Sequence, residues 1–358
     1  MNKLRAGIIG CGGIANGKHL PAMKAIGKFE IVAFCDIIEE RAVKAKKEYG
    51  ASDARVYTDY RELLKEELDA VYVLTPNKSH ADISIAAMKA GNNVMCEKPM
   101  AKSYAGALKM LKAAKETGKV LNIGYQNRYR PDSLYLKKAC ENGDLGEIYY
   151  AKAHAIRRRA VPTWGVFLNE EEQGGGPLID IGTHALDLTL WMMDNYEVES
   201  VMGSVFRKLA DQTDQGNAFG SWDPKKYTVE DSAFGFIKMK NGATVLLESS
   251  WALNTLDVDE AKTSLCGTKA GADMKDGLRI NHVKYDRQCV EKPDLSNSGV
   301  AFFEGKGSDT DKEVEQEVFY DVIKNGAKQI VKPEQAIVVT RILEAIYESA
   351  KTGKTIYL

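Results

Sequence analysis

The 358-residue chain lacks any run of about 18 consecutive apolar residues, so no helix in it is expected to cross a membrane. It also lacks net charge. Lysine and arginine number 49 against 50 acidic residues, leaving −1 at pH 7 and a pI near 6.6, which gives no electrostatic reason to expect nucleic acid or a membrane surface as a partner. Paired cysteine spacing is missing too. Cys11, Cys35, Cys96, Cys140, Cys266 and Cys289 are scattered without a CxxC, several inside apolar runs, which argues against a disulfide framework or zinc site and for reduced thiols in a cytoplasmic protein. No HExxH and no clustered Cys/His set occurs, so no metal is expected. No G-x-S-x-G elbow supports serine nucleophile chemistry. Ile8-Ile9-Gly10-Cys11 looks like the end of a lipoprotein signal, but the residues before it are expected to be too few for a secretory signal. Internal repeats and low-complexity tracts are also missing.

What the chain does have is the composition of a globular protein, 44% apolar and 28% charged. Its length exceeds what one hydrophobic core of roughly 250 to 300 residues sustains, so two domains are expected. Up to residue 124, short apolar runs (5–10, 31–36, 70–74, 93–96 and 120–124) alternate with helical patterns, the βαβ rhythm of a doubly wound parallel sheet. Beyond it come a helix after Pro131 and alternating segments at 148–156, 198–206, 232–239, 243–250 and 263–266. Turns such as Lys240-Asn241-Gly242 join them, and two late helices near 313–324 and 334–351 finish the chain. The expected architecture is an α/β Rossmann domain over 1–124 and a C-terminal α/β domain over 125–358, with a large, mostly antiparallel open sheet. The polar stretch 211–226 has no pattern and reads as a long loop.

Directly after the first strand, Gly10-Cys11-Gly12-Gly13-Ile14-Ala15 satisfies G-x-G-x-x-[GA], with a strand before it and a helix after it. Such a turn lets a pyrophosphate approach the backbone and the helix amides. Asp36 closes the next strand and can accept the ribose hydroxyls of NAD while repelling the 2′-phosphate of NADP; as a helix N-cap it would need no cofactor. No arginine stands immediately beside it, so NAD is favoured over NADP. Thr75-Pro76-Asn77, with His80 beyond, follows a strand whose carboxyl end borders the ligand crevice of such a sheet; a plain Pro-Asn turn with a histidine opening a helix fits the same residues.

The next strand runs into Glu97-Lys98-Pro99, placing a lysine where it can take part in proton transfer beside a nicotinamide. Glu291-Lys292-Pro293 repeats the spelling without a strand in front, so context carries the inference. Further on, Gly174-Gly175-Gly176 leads through Asp180 to His184 and the amphipathic run 185–193. On a helix, Asp180 and His184 are i and i+4 on one face, with Asp187 able to share it. A histidine beside a carboxylate is a usual proton acceptor near neutral pH, and a satisfied surface pair has the same spacing.

Together, Gly10-x-Gly12-x-x-Ala15, Thr75-Pro76-Asn77 with His80, Glu97-Lys98-Pro99, Gly124-Tyr125-Gln126-Asn127-Arg128-Tyr129, and Gly174-Gly175-Gly176 through Asp180 and His184 resemble the glucose-fructose oxidoreductase, inositol dehydrogenase and MocA family over nearly the whole chain. The resemblance implies an NAD-dependent dehydrogenase that oxidises a secondary hydroxyl of a sugar, glycoside or cyclitol. It implies that Lys98, Asp180 and His184 form the catalytic group, with His184 accepting the hydroxyl proton, Lys98 holding the reacting oxygen and Asp180 orienting substrate. The expected cofactor residues are Gly10, Gly12, Gly13, Ile14, Asp36, Thr75, Pro76, Asn77, His80, Glu97, Lys98 and Gln126. The expected substrate residues are Lys98, Arg128, His154, Arg157, Trp164, Asp180 and His184. Tryptophan can stack on a sugar ring and arginine can bond its hydroxyls, although a run such as Arg157-Arg158-Arg159 also suits a solvated edge. The local pattern is similar to relatives that oxidise glucosides at C3. A homodimer or homotetramer is implied. The same fold also hosts NAD-using glycosidases and non-catalytic dinucleotide sensors.

Overall fold

The computed structural model describes residues 3–212, 214–295 and 311–358. The chain divides into two compact units, Met1–Tyr129 with Phe302–Ile337 and Arg130–Ala301 with Val338–Leu358.

The first unit holds six parallel strands: β1 (Leu4–Ile9), β2 (Phe29–Cys35), β3 (Arg55–Tyr57), β4 (Ala70–Val73), β5 (Asn93–Cys96) and β6 (Leu121–Ile123), in the order β3-β2-β1-β4-β5-β6. That is the doubly wound order with its switch between β1 and β4, where the carboxyl ends of the strands open a ligand crevice. Ala70, Val71, Tyr72 and Val73 are all buried, as the unbroken apolar run requires of a strand covered on both faces. The edge strand β3 has no counterpart in the sequence pattern, because its three residues are exposed or half-buried.

The second unit holds nine strands in the order β14-β13-β12-β11-β7-β10-β9-β8-β15. These are β7 (Ile148–Ile156), β8 (Val198–Phe206), β9 (Ser232–Met239), β10 (Thr244–Ser250), β11 (Asp259–Gly267), β12 (Ala270–Asp273), β13 (Arg279–Lys284), β14 (Arg287–Glu291) and β15 (Ile356–Tyr357). Neighbours run antiparallel except β7 with β10. The Lys240-Asn241-Gly242 turn joins β9 to β10 as expected, with Gly242 at φ +89°. Ala151, Ala153 and Ala155 of β7 are buried on the face that also bears Thr263, whose hydroxyl bonds Thr189 of the helix Thr183–Met193. Gly203 and Gly235 stand against Ile346 of the last helix, Pro333–Thr352, which needs their missing side chains: an added Cβ would lie 2.7 and 2.6 Å from Ile346 carbons. The opposite face leaves Met202 and Phe236 half in water.

The expected division at residue 124 gave the remainder of the chain to the second domain. Instead the helix Asp311–Asn325 packs in the first unit. Its Phe319 and Tyr320 meet Tyr72 and Phe29 edge-to-face, and the Tyr72 hydroxyl donates to Gln316 at 2.9 Å. Tyr72 and Phe29 supply an apolar surface that the first 124 residues do not cover by themselves, and the apolar stripe of that helix fills it.

Candidate active site

The glycine turn follows directly from β1. Gly10 sits at φ +94°, and an added Cβ there would lie 2.5 Å from the Leu74 carbonyl oxygen, so conformation and space both demand glycine. Around Gly12 and Gly13 nothing lies within 4 Å of an added Cβ, and Ile14 is exposed, so a ligand can approach this main chain closely. At the end of β2, Asp36 Oδ2 accepts the Cys11 N–H at 2.8 Å and Oδ1 accepts the Ile38 N–H at 2.9 Å. The helix Glu39–Tyr49 takes Ile38, not Asp36, as its cap residue, so this carboxylate ties β2 to the glycine turn and each oxygen keeps a lone pair for a further donor. At the end of β4 the Thr75 hydroxyl is buried with no hydrogen-bond partner among the described residues. Pro76 is exposed, Asn77 opens the short turn Asn77–Ser79, and half-buried Gln126 follows β6. An open glycine turn, a carboxylate closing β2 and an orphaned hydroxyl beside them fit a dinucleotide, with pyrophosphate on the turn and a ribose at Asp36.

Two expected cofactor residues face inward instead. His80 is fully buried, with Nδ1 2.8 Å from the Pro99 carbonyl oxygen and Nε2 2.8 Å from that of Thr75. Burial holds its pKa below the ordinary histidine value against the pull of those carbonyls. It braces the ends of β4 and β5 from behind. Glu97 is buried as well: Oε1 lies 2.9 Å from Lys18 Nζ and 2.8 Å from His19 Nε2, and Oε2 accepts the Lys98 N–H at 3.1 Å. Lys18 also pairs with buried Glu315 at 2.9 Å. Burial pushes the Glu97 carboxyl up, but the Lys18 charge and the His19 contact overrule it and hold it well below the usual range. Gly124 is glycine because this carboxylate lies against it, 3.1 Å from an added Cβ. Glu97 thus fixes the backbone under half-buried Lys98, whose peptide to Pro99 is cis.

In the second unit the glycine run has steric causes. Gly174 takes φ +84° to end the helix Glu170–Gln173, an added Cβ at Gly175 would strike the Tyr347 hydroxyl, and one at Gly176 would strike the Glu230 carbonyl oxygen. From there the chain winds as a π-helical turn, Leu178–Gly182, into the helix Thr183–Met193. Buried Glu230 accepts the N–H groups of Gly176 (2.8 Å) and Leu178 (3.1 Å) and the Tyr347 hydroxyl (2.8 Å), holding the start of this helical segment. Burial raises the Glu230 pKa against these bonds. The expected amphipathic run is instead buried nearly all round, Asp187 included, because sheet and helices enclose it; between Thr183 and Met192 only His184 is half open. Asp180 is half-buried too, and its Oδ2 accepts the Trp251 indole N–H at 3.0 Å. Arg157 forks onto Glu260 at 2.6 and 2.7 Å; burial lowers its pKa, but Glu260 first and the nearby Asp180 charge next raise it above the ordinary value. Asp180 therefore stands among a donated N–H and a paired guanidinium. Among the described residues no three His, Cys, Asp or Glu side chains are grouped to hold a metal ion.

Two family models match this chain: an oxidoreductase family NAD-binding Rossmann fold over residues 4–125, and the oxidoreductase family C-terminal α/β domain over residues 137–358. The chain belongs to this Gfo/Idh/MocA oxidoreductase family. D-glucoside 3-dehydrogenase of Escherichia coli (strain K12) is 36% identical over 359 residues, 99% of this chain and 97% of that protein. Myo-inositol 2-dehydrogenase of Thermotoga maritima is 28% identical over 248 residues, 69% of this chain and 68% of its own. Levoglucosan dehydrogenase in complex with NADH shares the fold at a TM-score of 0.83, with 22% identity and 99% of both chains covered.

For this oxidoreductase, the expected substrate residues divide sharply. Trp164 is half exposed and Arg157 stands by Asp180, as above. His154 does not join them. It alternates with Ala153 and Ala155 on β7, so it points to the face of the sheet opposite the Asp180 and His184 segment, where it contacts Ser264 at 3.0 Å and Glu248 at 3.3 Å. Arg128 is fully buried and donates to the Ile330 carbonyl (3.0 Å) and Gln335 Oε1 (2.7 Å), a structural tie within the first unit. Lys98 belongs to the first unit, Asp180 and His184 to the second. Sequence reasoning missed Trp251 and Glu230. The adjacent acids Glu230-Asp231 were a usable signal, since Asp231 likewise accepts the N–H groups of Lys208 and Leu209 at 2.6 Å; nothing marked Trp251.

Proposed function

We propose that this oxidoreductase is an NAD-dependent dehydrogenase that oxidises the C3 secondary hydroxyl of a glucoside to a ketone. The observation that carries the reading is 36% identity to a D-glucoside 3-dehydrogenase along 99% of the chain. Bound NAD supplies the acceptor for the hydride that leaves the carbinol carbon. His184 takes the hydroxyl proton, so the C–H pair departs as the C=O bond forms. Lys98 holds the reacting oxygen by charge-assisted hydrogen bonding. Asp180, kept in place by the Trp251 N–H, bonds a substrate hydroxyl and fixes which carbon presents its hydrogen. Asp36 receives the adenosine ribose and favours NAD over NADP.

The test is NADH absorbance over glucosides, free monosaccharides and inositols, with the oxidised carbon identified by NMR. Lys98→Ala and His184→Ala should each lower kcat by roughly 10²- to 10⁴-fold while NAD still binds. Binding of NAD with no turnover of any sugar or cyclitol would make the chain a dinucleotide sensor; glycosidic cleavage without net NADH would make it a glycosidase.

We also propose that the protein acts in the cytoplasm as a homodimer or homotetramer, joined through the open face of the nine-stranded sheet. Supporting this are six free thiols and the row Met202, Phe236 and Leu246, which lie side by side across β8, β9 and β10. No described helix is long and apolar enough to cross a membrane.

A further inference from the structure

The second unit carries, next to Asp180, a series of aromatic rings of which the reaction as derived draws on the Trp251 N–H alone. Trp251 is fully buried and gives its indole N–H to Asp180. Phe167 meets Trp251 edge-to-face at 6.4 Å between centroids, Trp164 meets Phe167 at 5.8 Å, and Phe219 meets Trp164 at 4.9 Å. Exposure goes from 0% at Trp251 to 52% at Trp164 and 44% at Phe219 beside it. The rings lead from a carboxylate of the candidate site out into water.

The outer pair stands on a built scaffold. Phe219 lies in the 211–226 segment, and hydrogen bonds on either side of it pin that segment to the residues preceding Trp164. Asn217 Oδ1 accepts the Val161 N–H (2.8 Å), and its amide donates to the carbonyls of Val161 (2.9 Å) and Gly220 (2.7 Å). The Ala218 N–H donates to the Arg159 carbonyl (3.0 Å), and the Thr163 hydroxyl to that of Phe219 (2.6 Å). These bonds run through backbone, Asn217 and Thr163, so holding the loop does not require the Trp164 and Phe219 rings. A ring pair already held in one geometry has little entropy left to lose when a ligand covers it.

We propose that Trp164 and Phe219 form a subsite for the aglycone of the glycoside, the group on its anomeric oxygen, where that group offers an apolar ring face. An aryl ring and the C–H face of a second pyranose share this chemistry, which aromatic rings match by stacking. The reacting sugar presents hydroxyls and is matched by Asp180 and His184. Trp164 stands two ring contacts out from Trp251, the partner of Asp180, beyond the groups that hold the reacting ring. The inference rests on the glucoside reading above.

The experiment measures kcat/KM for methyl glucoside, phenyl glucoside and cellobiose with the wild type, Trp164→Ala, Phe219→Ala and Trp164→Phe. The ratio of phenyl to methyl glucoside should fall roughly five- to tenfold in each alanine variant, and Trp164→Phe should retain most of it. Cellobiose falling in parallel supports the subsite for both ring types; phenyl glucoside falling by itself supports it for aryl groups. An unchanged ratio, or an alanine variant that loses the native oligomeric mass in sedimentation, overturns the assignment. If the wild type oxidises none of the three, the glucoside reading has failed, and calorimetric titration with phenyl glucoside decides the subsite by itself. Weaker binding by the alanine variants then supports it, and equal binding or none overturns it.

Discussion

Asp36 performs two tasks with one carboxylate. It anchors the Cys11 and Ile38 amides and keeps lone pairs for a ribose. Asp36→Asn removes the charge that opposes a 2′-phosphate and turns one oxygen into a donor facing an N–H. A charged hydrogen bond is worth about 1.5 to 3 kcal/mol, so the preference for NAD over NADP in kcat/KM should fall at least roughly tenfold. Glu97 does its work through the backbone of Lys98. Its folded pKa lies well below the ordinary carboxylate value, so the stability it contributes is present above about 4.3 and is lost as pH falls through the folded value. Glu97→Gln leaves Lys18 paired with Glu315 but removes a charged hydrogen-bond acceptor, which should cost about 1.5 to 3 kcal/mol. In urea titrations that deficit should be constant from pH 8 to pH 5 and close below about 4.3.

At the scale of elements, the segment bearing Asp180 and His184 is held from outside itself. Gly175 and Gly176 let the chain pass under Tyr347 and Glu230, and the Glu230 carboxylate takes the N–H groups of Gly176 and Leu178. An acceptor at the start of a helical segment satisfies amides that have no partner within it. Glu230→Gln presents an N–H₂ group to those donors, which should cost about 1 to 3 kcal/mol by thermal unfolding and lower kcat more than it raises KM, since the displaced residues are Asp180 and His184. The glycine turn and the runs of β1, β2, β4 and β5 were legible because each is a local pattern with a local cause. Arg128, His80 and Glu97 were read as ligand contacts although they are buried ties. A motif marks where a residue stands in the chain, whereas the carbonyls and cations that turn it inward come from distant segments.

At the scale of the whole molecule, the row of exposed Met202 and Phe236 and half-buried Leu246 crosses three neighbouring strands of the open face. If a second copy covers that face, Phe236→Lys should shift the native mass toward the monomer in sedimentation velocity. A mass unchanged by the substitution, or a wild type that is already a monomer, would remove the open-face assembly. His154 belongs to this face, so His154→Ala should change oligomeric stability more than kcat/KM for sugars.

By itself the sequence determined the family, the parallel and mostly antiparallel sheets, and the identities of Gly10, Asp36, Lys98, Asp180 and His184 as the residues to examine. The sheets follow from short-range periodicity, whereas the family and its catalytic residues come from a resemblance carried by motifs spread along the chain. Only the tertiary structure decided that the helix Asp311–Asn325 packs in the first unit, that His154 faces away from Asp180, and that Trp251 and Glu230 hold the segment on which the chemistry is proposed. Those relations join residues far apart in the chain, such as Tyr72 and Gln316, 244 positions apart in sequence and 2.9 Å apart in space. Burial and hydrogen-bond satisfaction are settled by whichever groups the fold brings together, and no local pattern records them.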